Sequence, residues 1–141
     1  MVAPATATTF TAVSYATSCP AGAWKAEYYP NRTLTAPAAT VVCEPAPLAR
    51  WWGSGAPAGM AVGPDDFSAR WTGTFAFAGG SGTFTATHNN GLRLWLDGVP
   101  VLDRWSVTGT AAATRTVTAG PHAVRVEFWE GTGEATADLR W

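Results

Sequence analysis

An all-β protein is what this sequence predicts: an antiparallel β-sandwich or barrel of about ten short strands. Three observations carry that expectation. Thr, Val, Trp and Phe are abundant while no segment sustains a 3.6-residue apolar period. Short runs alternate apolar and polar residues, as half-buried strands do. Turn chemistry separates the runs, most clearly Gly79-Gly80-Ser81-Gly82 and the two-residue hairpin signal Asp97-Gly98.

Residues 1–8 are rich in Ala, Thr and Pro and read as a linker tail, which leaves 9–141 as one domain. Thr9–Ala16 and Trp24–Tyr29 alternate and are predicted strands. Pro30, Pro37, Pro45, Pro47, Pro57 and Pro64 then predict long irregular connections, with short strand pieces near Val41 and Trp51. From Asp66 the pattern is regular. Phe67, Ala69 and Trp71 share one face, and Phe75 and Phe77 follow. Thr83–His88, Leu92–Leu96, Val99–Leu102, Thr114–Thr118, His122–Trp129 and Ala135–Trp141 complete the set. Trp24, Trp52, Trp71, Trp95 and Trp141 are expected in the core, and Trp51 is expected to be more exposed.

Composition bounds the function. A chain of 141 residues fits one domain and buries roughly two-thirds of its surface on folding. A net charge of −1, with both signs interspersed, gives no electrostatic footprint for nucleic acid. No apolar run approaches a membrane span, so no membrane insertion is expected. Two histidines, His88 and His122, and a single lysine offer little for acid–base chemistry, and no nucleophile arrangement is visible. The expectation is that the chain is not an enzyme. Asp65-Asp66 reads as a turn or cap, Asp97 as a hairpin residue, and Asp103 as a partner for nearby backbone.

Cys19 and Cys43 enclose about 25 residues, and a bridge there is worth roughly 3.5 kcal/mol in the chain-entropy model. A pair of free buried thiols is the alternative. The disulfide reading implies an oxidising compartment, extracellular or at the cell surface. No signal peptide is recognisable after Met1, so the chain reads as a fragment of a longer exported protein. Asn31-Arg32-Thr33 is a glycosylation sequon that matters only in a host that uses it.

Trp24-Lys25-Ala26-Glu27-Tyr28-Tyr29, Trp52-Gly53-Ser54-Gly55 with Asp66 to Gly73, Gly91 to Gly98 with Leu102-Asp103-Arg104-Trp105, and Val124 to Glu130 with Ala135 to Trp141 occur in that order. Together they resemble the protective-antigen-type β-domain, often called PA-fourteen, from about residue 22 to 141. The resemblance implies a β-sandwich module of secreted multidomain proteins, among them glycosidases, toxins and adhesins. It further implies neighbouring domains, a monomeric unit, and a glycan or polysaccharide ligand. In sugar-binding members two consecutive aspartates, joined by a cis peptide, hold a calcium ion that grips sugar hydroxyls. Their places here are Asn89 and Asn90.

Three readings of that pair stand open. As a calcium site, Asn89 and Asn90 would need help from Glu130 or Glu134, because a carboxamide offers oxygen without charge. As a metal-free sugar site, the carboxamides and His88 would meet hydroxyls, with Trp105 or Trp129 as the aromatic wall for a pyranose face. As a plain turn, Asn-Gly needs no ligand. The module would then be a structural spacer or protein-interaction unit with a degenerate site.

Overall fold

A computed structural model describes residues 18–141. The predicted linker at 1–8 and the predicted strand Thr9–Ala16 lie outside the described residues. The described chain contains ten strands: β1 (Ala23–Tyr29), β2 (Thr40–Pro45), β3 (Leu48–Gly53), β4 (Phe67–Phe77), β5 (Gly80–Asn89), β6 (Gly91–Leu96), β7 (Val99–Arg104), β8 (Gly109–Val117), β9 (Gly120–Glu130) and β10 (Ala135–Arg140). They form a six-stranded antiparallel sheet in the order β2-β1-β4-β9-β6-β7 and a four-stranded one in the order β3-β10-β5-β8. The predicted β-sandwich is confirmed.

The period of two decides which residues fill the space between the sheets. Trp24, Ala26 and Tyr28 of β1, Phe67, Ala69 and Trp71 of β4, and Val124, Val126 and Phe128 of β9 all point inward and are buried. Ala86, Ala135 and Ala137, buried in the same cluster from β5 and β10, leave room for these rings. One carboxylate sits among them: Glu44 accepts from Tyr28 Oη at 2.8 Å and Trp71 Nε1 at 2.9 Å and pairs with Arg50 at 3.0 Å. With its oxygens engaged, the buried charge is compensated rather than stranded.

Several local expectations are sharpened. The Asp97-Gly98 hairpin joins β6 to β7, with φ of 50° and 78° at its two residues. Strand β8 starts at Gly109, earlier than predicted. Its Ala111–Ala113 run is a poor strand former alone, but it is held by pairing with Ala86–Phe84 of β5. Cys19 and Cys43 are bonded. The bridge pins the segment before β1 to β2.

The tryptophans divide differently from the expectation. Trp24 and Trp71 are fully buried and Trp52 packs on the core. Trp51 is 64% exposed, its indole donating to Asp138 Oδ2 at 2.9 Å. Trp95 is not a core residue: Leu92 and Leu94 take the inward places on β6, so alternation turns Trp95 outward under Arg125. Trp141 packs against Phe75, Phe77 and Phe84 yet remains 45% exposed.

Candidate functional site

The chain crosses between the sheets at Asn89-Asn90-Gly91, where β5 ends and β6 begins. It crosses again at Glu130–Glu134, between β9 and β10. The pairings Gly91↔Trp129 and Asn89↔Thr136 put both crossovers at the same end of the sandwich. A 2.7 Å hydrogen bond from Asn90 Nδ2 to Glu130 Oε1 ties them together.

The turn is braced on every side. Asn90 has φ 73°, in the left-handed region that Asn tolerates. Its N–H donates to Thr108 Oγ1 at 3.0 Å, and its carbonyl accepts from His88 Nδ1 at 2.7 Å. The cis bond implied by the resemblance is not found between Asn89 and Asn90; cis peptides among the described residues are Ala36-Pro37 and Ala46-Pro47.

His88 was expected beside the asparagines as a polar contact for sugar. The structure corrects this. It occupies an inward position of β5 after Phe84 and Ala86, is 1% exposed, and has a buried Nε2 without a partner. Burial lowers its pKa, against the opposing effect of the bond to Asn90. A neutral ring donating from Nδ1 therefore supports the turn from beneath and offers no surface to a ligand.

Glu130 is fully buried at the end of β9, and its Oε2 has no partner. Burial pushes its carboxyl up to about 7; nearby Asp65 adds to the rise, while the hydrogen bonds with Asn90 and the Gly131 backbone and the charge of Arg32 oppose it. Asp65 belongs to the turn into β4, and the pairing Phe67↔Glu130 explains its nearness. Its carboxylate neighbour Asp66 has φ 56° and donates its backbone N–H to Gly131 O. The sequence marks Asp65-Asp66 as a turn or cap. The missed influence of Asp65 on Glu130 depends on a strand pairing that no local pattern announces.

Trp105 and Trp129 meet beside this bond. Their centroids are 6.4 Å apart, edge to face, and Trp129 Nε1 donates to Trp105 O at 2.8 Å. Gly91 permits the approach: a Cβ there would overlap both the Trp129 indole and the Trp105 carbonyl. Each ring also carries a guanidinium, Arg93 at 3.8 Å from the Trp105 centroid and Arg32 at 5.7 Å from that of Trp129. These arginines were not foreseen. They leave less open aromatic face than a bare platform offers.

The structure thus brings Asn90, Glu130, Trp105 and Trp129 together and places Asn89 on the neighbouring strand position. Glu134 is exposed on the loop. Calcium prefers six to eight oxygens with several charges among them. Glu130 is the one carboxylate bonded to the asparagine pair, and no cluster of three or more His, Cys, Asp or Glu suited to a metal occurs among the described residues. An asparagine pair with one bonded carboxylate gathers less charge than calcium sites usually do.

The PA14 domain family model matches residues 21–141. The chain belongs to the PA14 family. A curated relative, the anti-sigma-I factor RsgI3 of Acetivibrio thermocellus, is 31% identical over 94 residues, covering 64% of this PA14 chain and 14% of that protein. The chain therefore spans about a seventh of the relative's length. Among solved structures, an anti-sigma factor domain-containing protein superposes with a TM-score of 0.73 at 29% identity, covering 82% of this chain and 41% of that one. The PA14 sugar-binding domain from an RTX adhesin superposes with a TM-score of 0.58 at 16% identity, covering 86% and 90%. At that identity the likeness is one of fold.

Proposed function

We propose that this PA14 domain is a non-catalytic carbohydrate-recognition module of a larger exported protein, binding sugar without a metal at the Asn90 tip. The observation that carries this reading is the Asn90–Glu130 hydrogen bond. It holds the carboxamide in one orientation, with Nδ2 committed to the carboxylate and Oδ1 uncommitted among the described residues. Asn89 and the edges of Trp105 and Trp129 complete a rim suited to hydroxyls and to one apolar sugar face. The disulfide supports an extracellular or cell-surface setting.

A second reading is favoured by the bracing of the turn. His88 and Thr108 satisfy the Asn90 backbone, so geometry alone explains Asn at this place. The module would then be a spacer or protein-docking unit.

A glycan array probed with the intact chain, with and without calcium, separates the readings. Hits that survive EDTA and weaken at least tenfold in Asn90→Ala support direct recognition. Hits that require calcium reinstate the metal. Silence across a broad array leaves the spacer reading.

A further inference from the structure

On the outer face of the six-stranded sheet the registers align side chains into rows. Cys43, Lys25, Thr72, Arg125 and Trp95 stand abreast on β2, β1, β4, β9 and β6. The next row is Glu27, Arg70, Glu127, Arg93 and Asp103, alternating in sign across five strands. In that second row the three central charges satisfy one another: Arg70 and Arg93 each reach Glu127 at 2.9 Å, one to each oxygen. Both carboxylate oxygens are therefore engaged before Arg125 approaches, at 3.9 Å.

The first row is different. Lys25 has no carboxylate within ion-pair distance among the described residues, and Arg125 has only the shared Glu127. Residues 1–17 contain no Asp or Glu that would supply one. Arg125 lies over the Trp95 ring at 4.1 Å from its centroid. Contact with the ring face anchors the guanidinium and leaves N–H groups for a planar anion. These residues line a groove of about 690 Å³ together with Thr72, Thr74, Ala21 and Ala23. From Lys25 to Trp95 the row crosses three strand intervals, roughly 14 Å at about 4.8 Å each.

We propose that this groove is a second binding site, for an acidic polysaccharide whose pyranose units carry carboxylates. Arg125 and Lys25 take the carboxylates, Thr72 and Thr74 exchange hydrogen bonds with ring hydroxyls, and Ala21 and Ala23, with the part of Trp95 that lines the groove, contact the apolar sugar face. The two cations stand on either side of Thr72, a spacing that suits a chain with repeated carboxylates rather than a single small anion. The site lies on a different face from the Asn90 tip and does not depend on the reading of that tip.

The test is affinity electrophoresis of the intact chain in gels containing alginate, with EDTA throughout to remove calcium. Carboxyl-reduced alginate and polyglutamate serve as controls. Retardation by alginate is expected, at least tenfold weaker in Lys25→Ser/Arg125→Ser and several-fold weaker in Arg125→Lys, which keeps the charge but loses the guanidinium. Raising salt from 50 to 300 mM should also weaken it. Asn90→Ala should keep the part of the retardation that Lys25→Ser/Arg125→Ser removes, and thermal melting of each variant confirms that it folds. Equal retardation by the carboxyl-reduced polymer or by polyglutamate overturns the proposal. So does a folded double variant that binds like the parent, or loss of binding confined to Asn90→Ala.

Discussion

The carboxylate of Glu130 accepts a 2.7 Å hydrogen bond from the carboxamide of Asn90, 40 residues earlier in the chain. This contact closes one end of the sandwich by joining its two sheet-to-sheet crossovers. It also holds a fully buried acid whose other oxygen is unpartnered. The consequences are measurable.

The first is a pH dependence. In the folded chain Glu130 releases its proton near 7, whereas an unfolded glutamate does so near 4.3. Between those values the native state holds more protons, so stability falls as pH rises through this window and stays lower above it. Glu130→Gln removes the drop, changing the difference in unfolding free energy between pH 5 and pH 8 by roughly 1–3 kcal/mol. His88 acts oppositely: its depressed pKa means stability is lost as pH falls below about 6.5. The informative quantity is therefore the difference between the two urea-denaturation profiles. Parallel profiles would show that Glu130 titrates normally.

Gly91→Ala probes the indole pair. The added methyl would overlap the Trp129 ring and the Trp105 carbonyl, neither of which is a flexible chain end. Either their 2.8 Å hydrogen bond breaks or β6 shifts against β9. A loss of roughly 2–4 kcal/mol is expected, with a changed near-ultraviolet circular dichroism band. Wild-type stability in this variant would mean that the rings move apart freely.

The hairpin at Asp97 carries a visible titration. His122 Nδ1 lies 2.5 Å from Asp97 Oδ2. The hydrogen bond to Asp97, aided by one to the Thr118 backbone, raises the histidine pKa, and the same contact lowers that of Asp97. The pair thus stabilises at mildly acidic pH: its histidine part fades as pH rises through the raised pKa, its aspartate part as pH falls through the lowered one. Proton NMR should place the His122 midpoint above 6.5, and Asp97→Asn should bring it back toward that value. An unchanged midpoint would assign the shift elsewhere.

The bridge across the first sheet edge contributes through the unfolded state. Cys19 and Cys43 are 24 residues apart, and Cys19→Ser/Cys43→Ser should lower the unfolding free energy by roughly 2–4 kcal/mol. The urea midpoint of the double variant against the oxidised parent reads this. No change would mean that the unfolded chain is already compact around this loop.

Much of the fold was legible because strand signals are local. Trp24–Tyr29, Phe67–Phe77 and Leu92–Leu96 alternate visibly, and Asp97-Gly98 marks its own turn. The outward place of Trp95 follows from the same alternation: with Leu92 and Leu94 inward, the indole lies outside. What hid it was the expectation that a tryptophan in a family strand belongs to the core. The site was legible in part. The asparagine pair, Glu130, Trp105 and Trp129 do converge, but the burial of His88 follows from its parity with Phe84 and Ala86, which a reading centred on the loop tip overlooked.

By itself the sequence determined the all-β class, the positions of most strands, the PA14 resemblance and the faces that alternate along each strand. Those depend on interactions within a few residues, where side-chain period and turn chemistry act. The tertiary structure alone decided which strands lie side by side. Strand order β1-β4-β9-β6 brings Lys25, Thr72, Arg125 and Trp95 into one row, and the two crossovers bring Asn90 to Glu130. Such contacts join residues tens of positions apart through packing of whole sheets. Their energies depend on burial and on neighbouring charges that only the assembled fold creates.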